Sequence, residues 1–266
     1  MSLNTASIDP RAVSDGRRPS TGHRIGQRPD PRSERYRTLL SQTPIFGGVE
    51  LSALDDLSRR AQVRSRATSS LIVTQDEPGD AMFVIVSGRA KVVLFAENGR
   101  EMLLRTLQAG DVFGEMALLD SRPRSANVVA LDEVTMLVID RDALLAHLAA
   151  HPRTAMNLLS ELTARLRTAD ETIANLALFD VEARLARTLE RLATDVTHPQ
   201  RSDEGLVLAR RPTQQELANM VGSCRETISR TFTSLVKRGL LVPRGRALLI
   251  TSALLRRAGR RGPAAA

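Results

Sequence analysis

The stretch that decides how this chain is interpreted is GEMALLDSRPRSANVVA, residues 114–130. It places the carboxylate of Glu115 and the guanidinium of Arg124 nine positions apart, with the apolar residues 117–119 between them. Either charge would be costly to bury alone, so the pattern does not fit the core of a strand. A run of apolar residues does not fit a fully exposed loop either. The stretch therefore predicts a half-buried site that needs both an acid and a base.

A ribose phosphate is a chemical group that this stretch could hold. A short helix beginning after Gly114 would present free backbone N–H groups to an anion. Arg124 would neutralise a phosphate through two hydrogen bonds, and Ser125 could add a hydroxyl. Glu115 only accepts hydrogen bonds when ionised, which suits a ribose 2′-hydroxyl, and the small Ala126 lets a ligand approach the backbone. The alternative is a plain salt bridge between Glu115 and Arg124.

The composition of the 266-residue chain argues against several classes of protein. The single cysteine, Cys224, excludes an intramolecular disulfide and a cysteine-only metal or iron–sulfur site. No apolar run approaches the ~20 residues of a membrane span. The N-terminus lacks the apolar core of a secretory signal. We therefore expect a cytoplasmic protein with no membrane partner.

The histidines and the known catalytic motifs argue against an enzyme. The four histidines, His23, His147, His151 and His198, have no metal-ligand spacing, and no nucleophile motif or Walker loop occurs. His147 and His151 are four residues apart and could share a metal, but near Pro152 they also fit the end of a helix. We expect no catalysis and no metal, while a haem sensor is not excluded.

Charge is unevenly distributed along the chain. Residues 210–266 hold 12 Lys and Arg against 2 acidic residues, and residues 1–40 hold 8 against 4. Since the whole chain has a net charge of +8, the segment between them is acidic. A basic C-terminal module beside an acidic middle indicates a polyanion partner at one end, or simply a solvated basic surface.

The N-terminal half reads as a tail followed by a β domain. Residues 1–38 are rich in Arg, Ser, Pro and Gly, which predicts a disordered basic tail. Residues 39–152 contain short apolar runs about ten residues apart, separated by turn signals such as Asn98-Gly99. This spacing predicts an antiparallel β-roll of the jelly-roll kind.

Residues 153–180 predict one long helix. Its apolar residues step by three and four, the spacing of a coiled-coil seam, with polar residues such as Arg165 and Asp170 between them. A helix packed on its own domain is the alternative, but a long seam between two modules favours a dimerisation helix. The seam consists of Leu159, Leu162, Leu166, Ala169, Ile173 and Leu176.

Residues 181–258 predict a winged helix-turn-helix, followed by a second disordered tail over residues 259–266. Two capping boxes, Thr213–Glu216 and Ser223–Glu226, mark two helix starts, and Gly222 supplies the turn between them. An apolar set is spaced to form a shared core: Leu217, Val221, Ile228, Phe232 and Leu235.

The exposed side of the second helix predicts contact with double-stranded DNA. Arg225 and Arg230 can read guanine or contact phosphate, Glu226 can accept from a cytosine amine, and Ser229 lies on the same side. Arg244 and Arg246 in the following wing would contact phosphates. The alternative is a charged helix face that is only solvated.

These segments resemble a known family. FGEMALLDSRPRSANVVA is similar to the phosphate-binding cassette of cyclic-nucleotide-binding domains, and TQQELANMVGSCRETISRTF to the helix-turn-helix of the CRP/FNR superfamily, cyclic AMP receptor protein branch. NLALFDVEARLARTLERLA resembles the hinge between those domains. The resemblance covers about residues 40–257 and implies an α+β fold: an N-terminal cyclic-nucleotide-binding β-roll, a long dimerisation helix and a C-terminal winged helix-turn-helix.

The resemblance also implies roles for individual residues. Glu115, with Gly114 before it, matches the ribose-binding glutamate, and Arg124 and Ser125 match the phosphate-binding pair. The base-reading set matches Arg225, Glu226 and Arg230, which implies TGTGA-like half-sites in a palindrome. A homodimer follows, with RNA polymerase as a further partner if the protein is an activator.

One departure from the family concerns the nucleotide base. Where the cyclic AMP receptors offer two small polar residues to adenine, this chain has Ala169 and Asp170. Asp170 could accept from the adenine amine or repel a second phosphate. Cyclic AMP is the expected ligand; cyclic GMP, cyclic di-GMP and a ligand-independent regulator are the alternatives. A different class, a cyclic-nucleotide-binding regulatory module without DNA function, is disfavoured by the helix-turn-helix.

Overall fold

The computed structural model describes residues 31–195 and 199–260. In these ranges the chain forms a β-roll with flanking helices, one long helix and a C-terminal winged helix domain, in the predicted order. The predicted α+β class is therefore confirmed.

The N-terminal helices show where the predicted tail is wrong. Helix α1 (Pro31–Gln42) includes residues 31–38, which the composition had assigned to the tail. The reason is tertiary packing: Tyr36 and Leu40 pack into the core beneath the β-roll, and Arg37 Nη1 donates to Asp55 Oδ1 at 2.9 Å. Helix α2 (Asp55–Arg60) completes this layer. The rest of the predicted tail, residues 1–30, lies outside the described residues.

Two antiparallel four-stranded sheets pack face to face to form the β-roll, in the strand orders β1-β8-β3-β6 and β2-β7-β4-β5. The hairpin predicted at Asn98-Gly99 joins β4 to β5, and Gly99 adopts φ 76° there. The elements are β1 (Gln62–Arg66), β2 (Leu71–Val73), β3 (Ala81–Ser87), β4 (Ala90–Phe95), β5 (Glu101–Leu107), β6 (Val112–Phe113), α3 (Glu115–Asp120), β7 (Asn127–Ala130) and β8 (Val134–Asp140).

Helix α4 (Arg141–Ala150) leads directly into the long helix α5 (Pro152–Leu178). Proline occupies the first turn of α5, where its missing N–H costs no helical hydrogen bond. The first turns of α5 pack on the β-roll, since Leu158 is buried and Asn157 Nδ2 donates to the Gly47 carbonyl at 2.9 Å. At 27 residues α5 is ~40 Å long.

The C-terminal domain is a helix-turn-helix with a larger sheet than predicted. The two-stranded wing belongs to a four-stranded antiparallel sheet of order β11-β12-β10-β9. Its last helix ends two residues beyond the predicted boundary at 258, and residues 261–266 are outside the described ranges. The elements are α6 (Val181–Thr194), β9 (Gln200–Ser202), β10 (Gly205–Leu208), α7 (Gln214–Val221), α8 (Arg225–Lys237), β11 (Leu241–Arg244), β12 (Ala247–Thr251) and α9 (Ser252–Arg260).

One of the two predicted capping boxes is present. Thr213 and Glu216 form a reciprocal capping box at α7, and Gly222 ends that helix with φ 69°. The box predicted at Ser223 is wrong, because α8 begins one residue later with Cys224 as its N-cap. Glu226 is then only two residues from the cap, one short of the spacing a box requires. All five predicted core residues, from Leu217 to Leu235, are buried together.

Candidate functional site

Arg124 is the central cation of the cassette and is almost fully buried, with 7% of its surface exposed. Its Nη1 donates to the Gly114 carbonyl at 2.7 Å and its Nη2 to the Ala81 carbonyl at 2.8 Å. The guanidinium also lies over the Phe83 ring, 5.7 Å from the centroid. Burial lowers the pKa of Arg124 from its usual value, which the charge of Asp80 partly offsets. The side chain is thus held in one orientation.

Two glycines leave space for this arginine, and two backbone hydrogen bonds hold its main chain in place. The Arg124 N–H donates to the Glu77 carbonyl, and the Arg124 carbonyl accepts from the Asp76 N–H, both at 2.9 Å. A Cβ on Gly79 would lie 2.6 Å from Arg124 Nε, and one on Gly114 would lie 2.7 Å from its Nη1. Gly114 also has φ 82° as it turns the chain into α3. Side chains at either glycine would displace the guanidinium.

Glu115 is buried to 99% but does not pair with Arg124. Its Oε1 accepts from Nη1 of Arg165, a residue of α5, while its Oε2 is buried without a hydrogen-bond partner among the described residues. The salt bridge considered as an alternative from sequence is therefore replaced by one to the long helix. A buried carboxylate oxygen without a partner is costly, which indicates an acceptor prepared for a donor from a ligand.

Arg165 belongs to a charged network that ties α5 to the cassette. It donates from Nε to Glu161 Oε1 and from Nη2 to the Val112 carbonyl, each at 3.1 Å. Arg105 donates to that same carbonyl at 2.8 Å, and burial together with nearby Arg165 lowers the pKa of Arg105. In the sequence, Arg165 is only a polar position between seam residues. Its charge in the half of α5 nearest the β-roll was the available signal.

The other predicted ligand residues have different environments. Ser125 is exposed, and its hydroxyl points to Met116 Sδ at 3.9 Å, whereas Ala126 is buried beside Arg124. Asp170 is exposed on α5, about 140° around the helix from Arg165. The structure therefore does not bring Asp170 to the face that contacts the cassette in the same chain.

Two features of the cassette suit a cyclic nucleotide. Two nitrogens of the Arg124 guanidinium donate to backbone carbonyls, and its remaining N–H groups can donate to a phosphate. The unpartnered Oε2 of Glu115 suits a hydroxyl donor. These residues would hold the phosphate and the ribose respectively, and the exposed Ser125 could add its hydroxyl by leaving Met116.

The predicted DNA-reading residues share one exposed face of α8. Arg225, Glu226, Ser229 and Arg230 are all exposed, while Ile228 and Phe232 on the opposite face are buried. A hydrogen bond from its own backbone N–H lowers the pKa of Glu226, so this carboxylate stays an acceptor. In the wing, Arg246 is exposed, but Arg244 Nη2 is paired with Glu204 Oε2 at 2.5 Å. Arg244 would have to leave that pair to contact a phosphate.

The predicted dimer seam forms an apolar stripe on α5. Leu159, Leu166 and Ile173 have 56%, 62% and 63% of their surface exposed. Ala169 and Leu176 are exposed as well, whereas Leu162 is partly covered by the core under the β-roll. This regular spacing of exposed aliphatic side chains is the pattern that a coiled-coil seam requires.

Helix α7 and the turn after it contact other parts of the chain. Asn219 Nδ2 donates to Glu101 Oε1 of β5 at 2.9 Å. Gly222, in the turn between α7 and α8, lies so close to α5 that a Cβ there would be 2.9 Å from Leu176 Cδ2. The last residue of the seam therefore touches the turn that precedes α8.

The described residues include neither a membrane-spanning helix nor a metal-binding cluster. No helix within 31–195 or 199–260 is long and apolar enough to cross a membrane. Over the same ranges, no group of three or more His, Cys, Asp or Glu side chains could hold a metal ion. His147 instead contacts Thr154 Oγ1 through Nε2 at 3.0 Å.

Comparisons with known proteins match both halves of the chain. A cyclic nucleotide-binding domain model matches residues 63–151, and a Crp-like helix-turn-helix domain model matches residues 183–257. The "CRP-like cAMP-activated global transcriptional regulator" of Mycobacterium tuberculosis is 34% identical over 224 residues, which cover 83% of this chain and 98% of that protein. The "Cyclic AMP receptor protein" of Thermus thermophilus is 31% identical, covering 75% and 88%.

A solved structure supports the fold. The c-di-GMP responsive global regulator CLP of Xanthomonas campestris superposes with a TM-score of 0.65 at 23% identity, covering 76% of this chain and 100% of that one. The two family models and the relatives at 31–34% identity lead to one conclusion about the family. The chain belongs to the CRP/FNR superfamily and is a cyclic-nucleotide-binding transcription regulator with a DNA-binding helix-turn-helix domain.

Proposed function

We propose that the protein is a homodimer that binds cyclic AMP in the β-roll and a TGTGA-like palindrome through α8, with the ligand controlling DNA affinity. One observation carries the proposal: the same motif holds two buried groups that a ligand could engage. They are an arginine with N–H groups not used by the protein and a carboxylate oxygen with no hydrogen-bond partner among the described residues. Arg124 would bind the cyclic phosphate and Glu115 the ribose 2′-hydroxyl.

Cyclic AMP is preferred among the cyclic nucleotides on the names of the relatives at 31–34% identity. Ala169 offers no side-chain hydrogen bond to a base, and Asp170, which would reach the base from the second copy of α5, offers only acceptors, which suit the amine of adenine. A second phosphate near Asp170 would be repelled, which disfavours cyclic di-GMP. Cyclic GMP, cyclic di-GMP and loss of ligand dependence remain the alternatives that binding measurements separate.

The dimer would form through the exposed stripe of α5. Leu159, Leu166 and Ile173 repeat every seven residues, as in a coiled-coil seam. Pairing two copies of α5 buries this stripe and places the two α8 helices about a two-fold axis, as a palindrome requires. Leu166→Asp should give a monomer by light scattering, while Arg167→Asp, at the exposed neighbouring position, should leave the dimer intact.

The proposed mechanism joins the cassette to DNA through α5. Arg165 connects α5 to Glu115, and Leu176 connects the end of α5 to the turn before α8. A ligand that changes how Glu115 and Arg165 pair would favour one packing of the two α5 helices and so one spacing of the two α8 helices. The ligand must bind the two packings with different affinity for this to occur. If the protein activates transcription, RNA polymerase is a further partner.

Isothermal titration calorimetry tests the ligand. Purified protein is titrated with cyclic AMP, cyclic GMP and cyclic di-GMP, and the titrations are repeated on Arg124→Ala. We expect micromolar or tighter binding of cyclic AMP that is lost in the variant. Unchanged affinity in Arg124→Ala would show that the cassette assignment is wrong, and no heat with any nucleotide would leave a regulator with no cyclic-nucleotide control.

DNA readout is tested with Arg230→Ala. If Arg230 reads a base, the variant loses about 1–3 kcal/mol on the palindrome and its preference relaxes at one position. An equal loss on palindromic and random duplexes would make Arg230 a phosphate contact instead.

A further inference from the structure

Arg105 of β5 is a half-buried arginine that lies beside the cassette, although it precedes the cassette motif in sequence. Its Nη2 donates to the Val112 carbonyl at 2.8 Å, and Nη2 of Arg165 donates to the same oxygen at 3.1 Å. Arg165 also donates to Glu115, so Arg105 lies at the end of the cassette that holds this carboxylate. Because Glu115 is the residue proposed for the ribose, Arg105 belongs to the ribose end of the site and not to the phosphate end, where Arg124 lies.

The contacts of Arg105 within the protein do not account for its charge. Its guanidinium and that of Arg165 share one acceptor, and like charges this close repel each other. Burial and the nearby Arg165 accordingly lower the pKa of Arg105. Glu115 and Glu161 offset part of this effect, but Glu161 Oε1 is 3.9 Å from Arg105 Nη1, which is too long for a hydrogen bond. A neutral donor could bind the Val112 carbonyl without these costs.

Most of the hydrogen-bond donors of Arg105 are unused by the protein. A guanidinium has five N–H groups, and among the described residues that of Arg105 makes one hydrogen bond, to the Val112 carbonyl. Of the side-chain surface, 30% is exposed, so a ligand can reach the remaining donors. The two positions at which the resemblance implies base contacts offer no donor, because Ala169 has no polar side-chain atom and Asp170 only accepts. Arg105 therefore supplies the donors that those two positions lack.

The two purine bases differ in what a guanidinium can recognise. Guanine presents two adjacent acceptors, O6 and N7, to which an arginine donates two hydrogen bonds. Adenine presents N7 beside its N6 amine, so only one of those two hydrogen bonds can form. The carboxylate of Asp170, from the second copy of α5, would accept from the N–H groups of guanine as readily as from the adenine amine. The donors of Arg105 therefore favour guanine.

We propose that Arg105 contacts the base of the bound nucleotide and makes the cassette a site for cyclic GMP as well as cyclic AMP. This inference rests on the proposed function, because it uses the same site, with Arg124 on the phosphate and Glu115 on the ribose. The acceptors of guanine, placed against Arg105, would also offset its repulsion from Arg165. Arg105 is then the residue that determines how strongly this regulator distinguishes the two nucleotides.

Calorimetric titration of the full chain with cyclic AMP and cyclic GMP tests this role. Arg105→Gln removes the charge but keeps an amide that can donate to the Val112 carbonyl. The variant should bind cyclic GMP about 5- to 150-fold more weakly than the wild type, which is the discrimination that one arginine–guanine pair provides. It should keep most of its affinity for cyclic AMP, because a glutamine amide can still donate to adenine N7. Arg100→Gln, at an exposed position just before β5, is the matched control and should bind both nucleotides like the wild type.

A modified nucleotide tests the same contact in the wild type, so that the result does not depend on how well a variant folds. The analogue 7-deaza-cyclic GMP lacks the N7 acceptor and should bind the wild type about tenfold more weakly than cyclic GMP, the scale of one lost charged hydrogen bond. Equal affinity of the wild type for the analogue and for cyclic GMP would refute the contact between Arg105 and the base.

The outcomes separate this inference from the proposed function. If the wild type binds cyclic AMP but not cyclic GMP, the role of Arg105 is wrong while the cyclic AMP site stands. The same conclusion follows if Arg105→Gln weakens both nucleotides equally, because a merely structural residue would have that effect. If the wild type binds neither nucleotide, the proposed function fails and this inference fails with it.

Discussion

Replacing Arg124 with lysine tests whether the cassette depends on guanidinium geometry or only on a positive charge. Arginine donates at the same time to the carbonyls of Gly114 and Ala81, 2.7 and 2.8 Å away, and keeps N–H groups for a ligand. A lysine ammonium is a compact, strongly hydrated charge that cannot reproduce this fork in a site that is 93% buried. The substitution conserves charge but should not conserve function.

The size of the effect follows from the contacts that are lost. Leaving one buried carbonyl without its donor costs about 1–3 kcal/mol, so Arg124→Lys should lower the free energy of unfolding by that amount. Loss of one charged hydrogen bond to the phosphate should weaken cyclic AMP binding by about tenfold or more. Urea unfolding and calorimetry measure the two quantities.

Arg122→Lys is the matched control, because Arg122 is exposed and only two residues away in the same loop. It should leave both stability and affinity unchanged. If Arg124→Lys bound cyclic AMP within twofold of the wild type, the reasoning from guanidinium geometry would be refuted.

Three further predictions concern stability and coupling. Arg165→Ala leaves a buried carboxylate without its cation and should lower the free energy of unfolding by about 3 kcal/mol in urea titrations. Gly222→Ala and Gly239→Ala both place a side chain at positive φ, near +69° and +65°, and each should lower the free energy of unfolding by about 1 kcal/mol in the same assay. Only the new side chain of Gly222→Ala also contacts Leu176, so only this variant should weaken the dimer in sedimentation experiments. Burial lowers the pKa of His147 to about 4, so as the pH falls this residue is protonated in the unfolded chain before it is protonated in the folded one. The free energy of unfolding should therefore fall by about 2 kcal/mol between pH 7 and pH 5. His147→Gln should remove that loss.

Each of these three predictions would be contradicted by a specific result. Arg167→Ala, which removes an exposed arginine of the same helix, should be neutral, and an equal effect in both arginine variants would contradict the buried pair. Equal dimer affinity in the two glycine variants would remove the link between the seam and the turn. A pH dependence that survives in His147→Gln would belong to another group.

The parts of the fold that local signals determine were predictable. The hairpin at Asn98-Gly99, the three-and-four spacing of α5 and the capping box at Thr213 each depend on residues close in sequence. The helix over residues 31–38 was not predictable, because its composition is that of a tail and its order comes from packing Tyr36 and Leu40 into a distant core. The start of α8 differs by one residue: its N-cap is Cys224, which makes no side-chain cap hydrogen bond, rather than Ser223.

The candidate site was likewise predictable where its residues are close in sequence and not where they are distant. Gly114, Glu115 and Arg124 were identified from one continuous motif. Their partners were not: Ala81 is 43 residues from Arg124, and Arg165 is 50 residues from Glu115. Apart from a ligand, the only partner that the motif suggested for either charge was the other charge of the motif, whereas the fold gives each of them a partner on a different element.

The most direct test of the account is the DNA affinity of the wild type and Arg124→Ala with and without cyclic AMP, measured by fluorescence anisotropy on a duplex with two TGTGA half-sites. A coupling free energy of about 1–3 kcal/mol corresponds to a change of roughly 5- to 150-fold. The account predicts a change of that size for the wild type and none for Arg124→Ala. Identical DNA affinities for the wild type with and without cyclic AMP would contradict it.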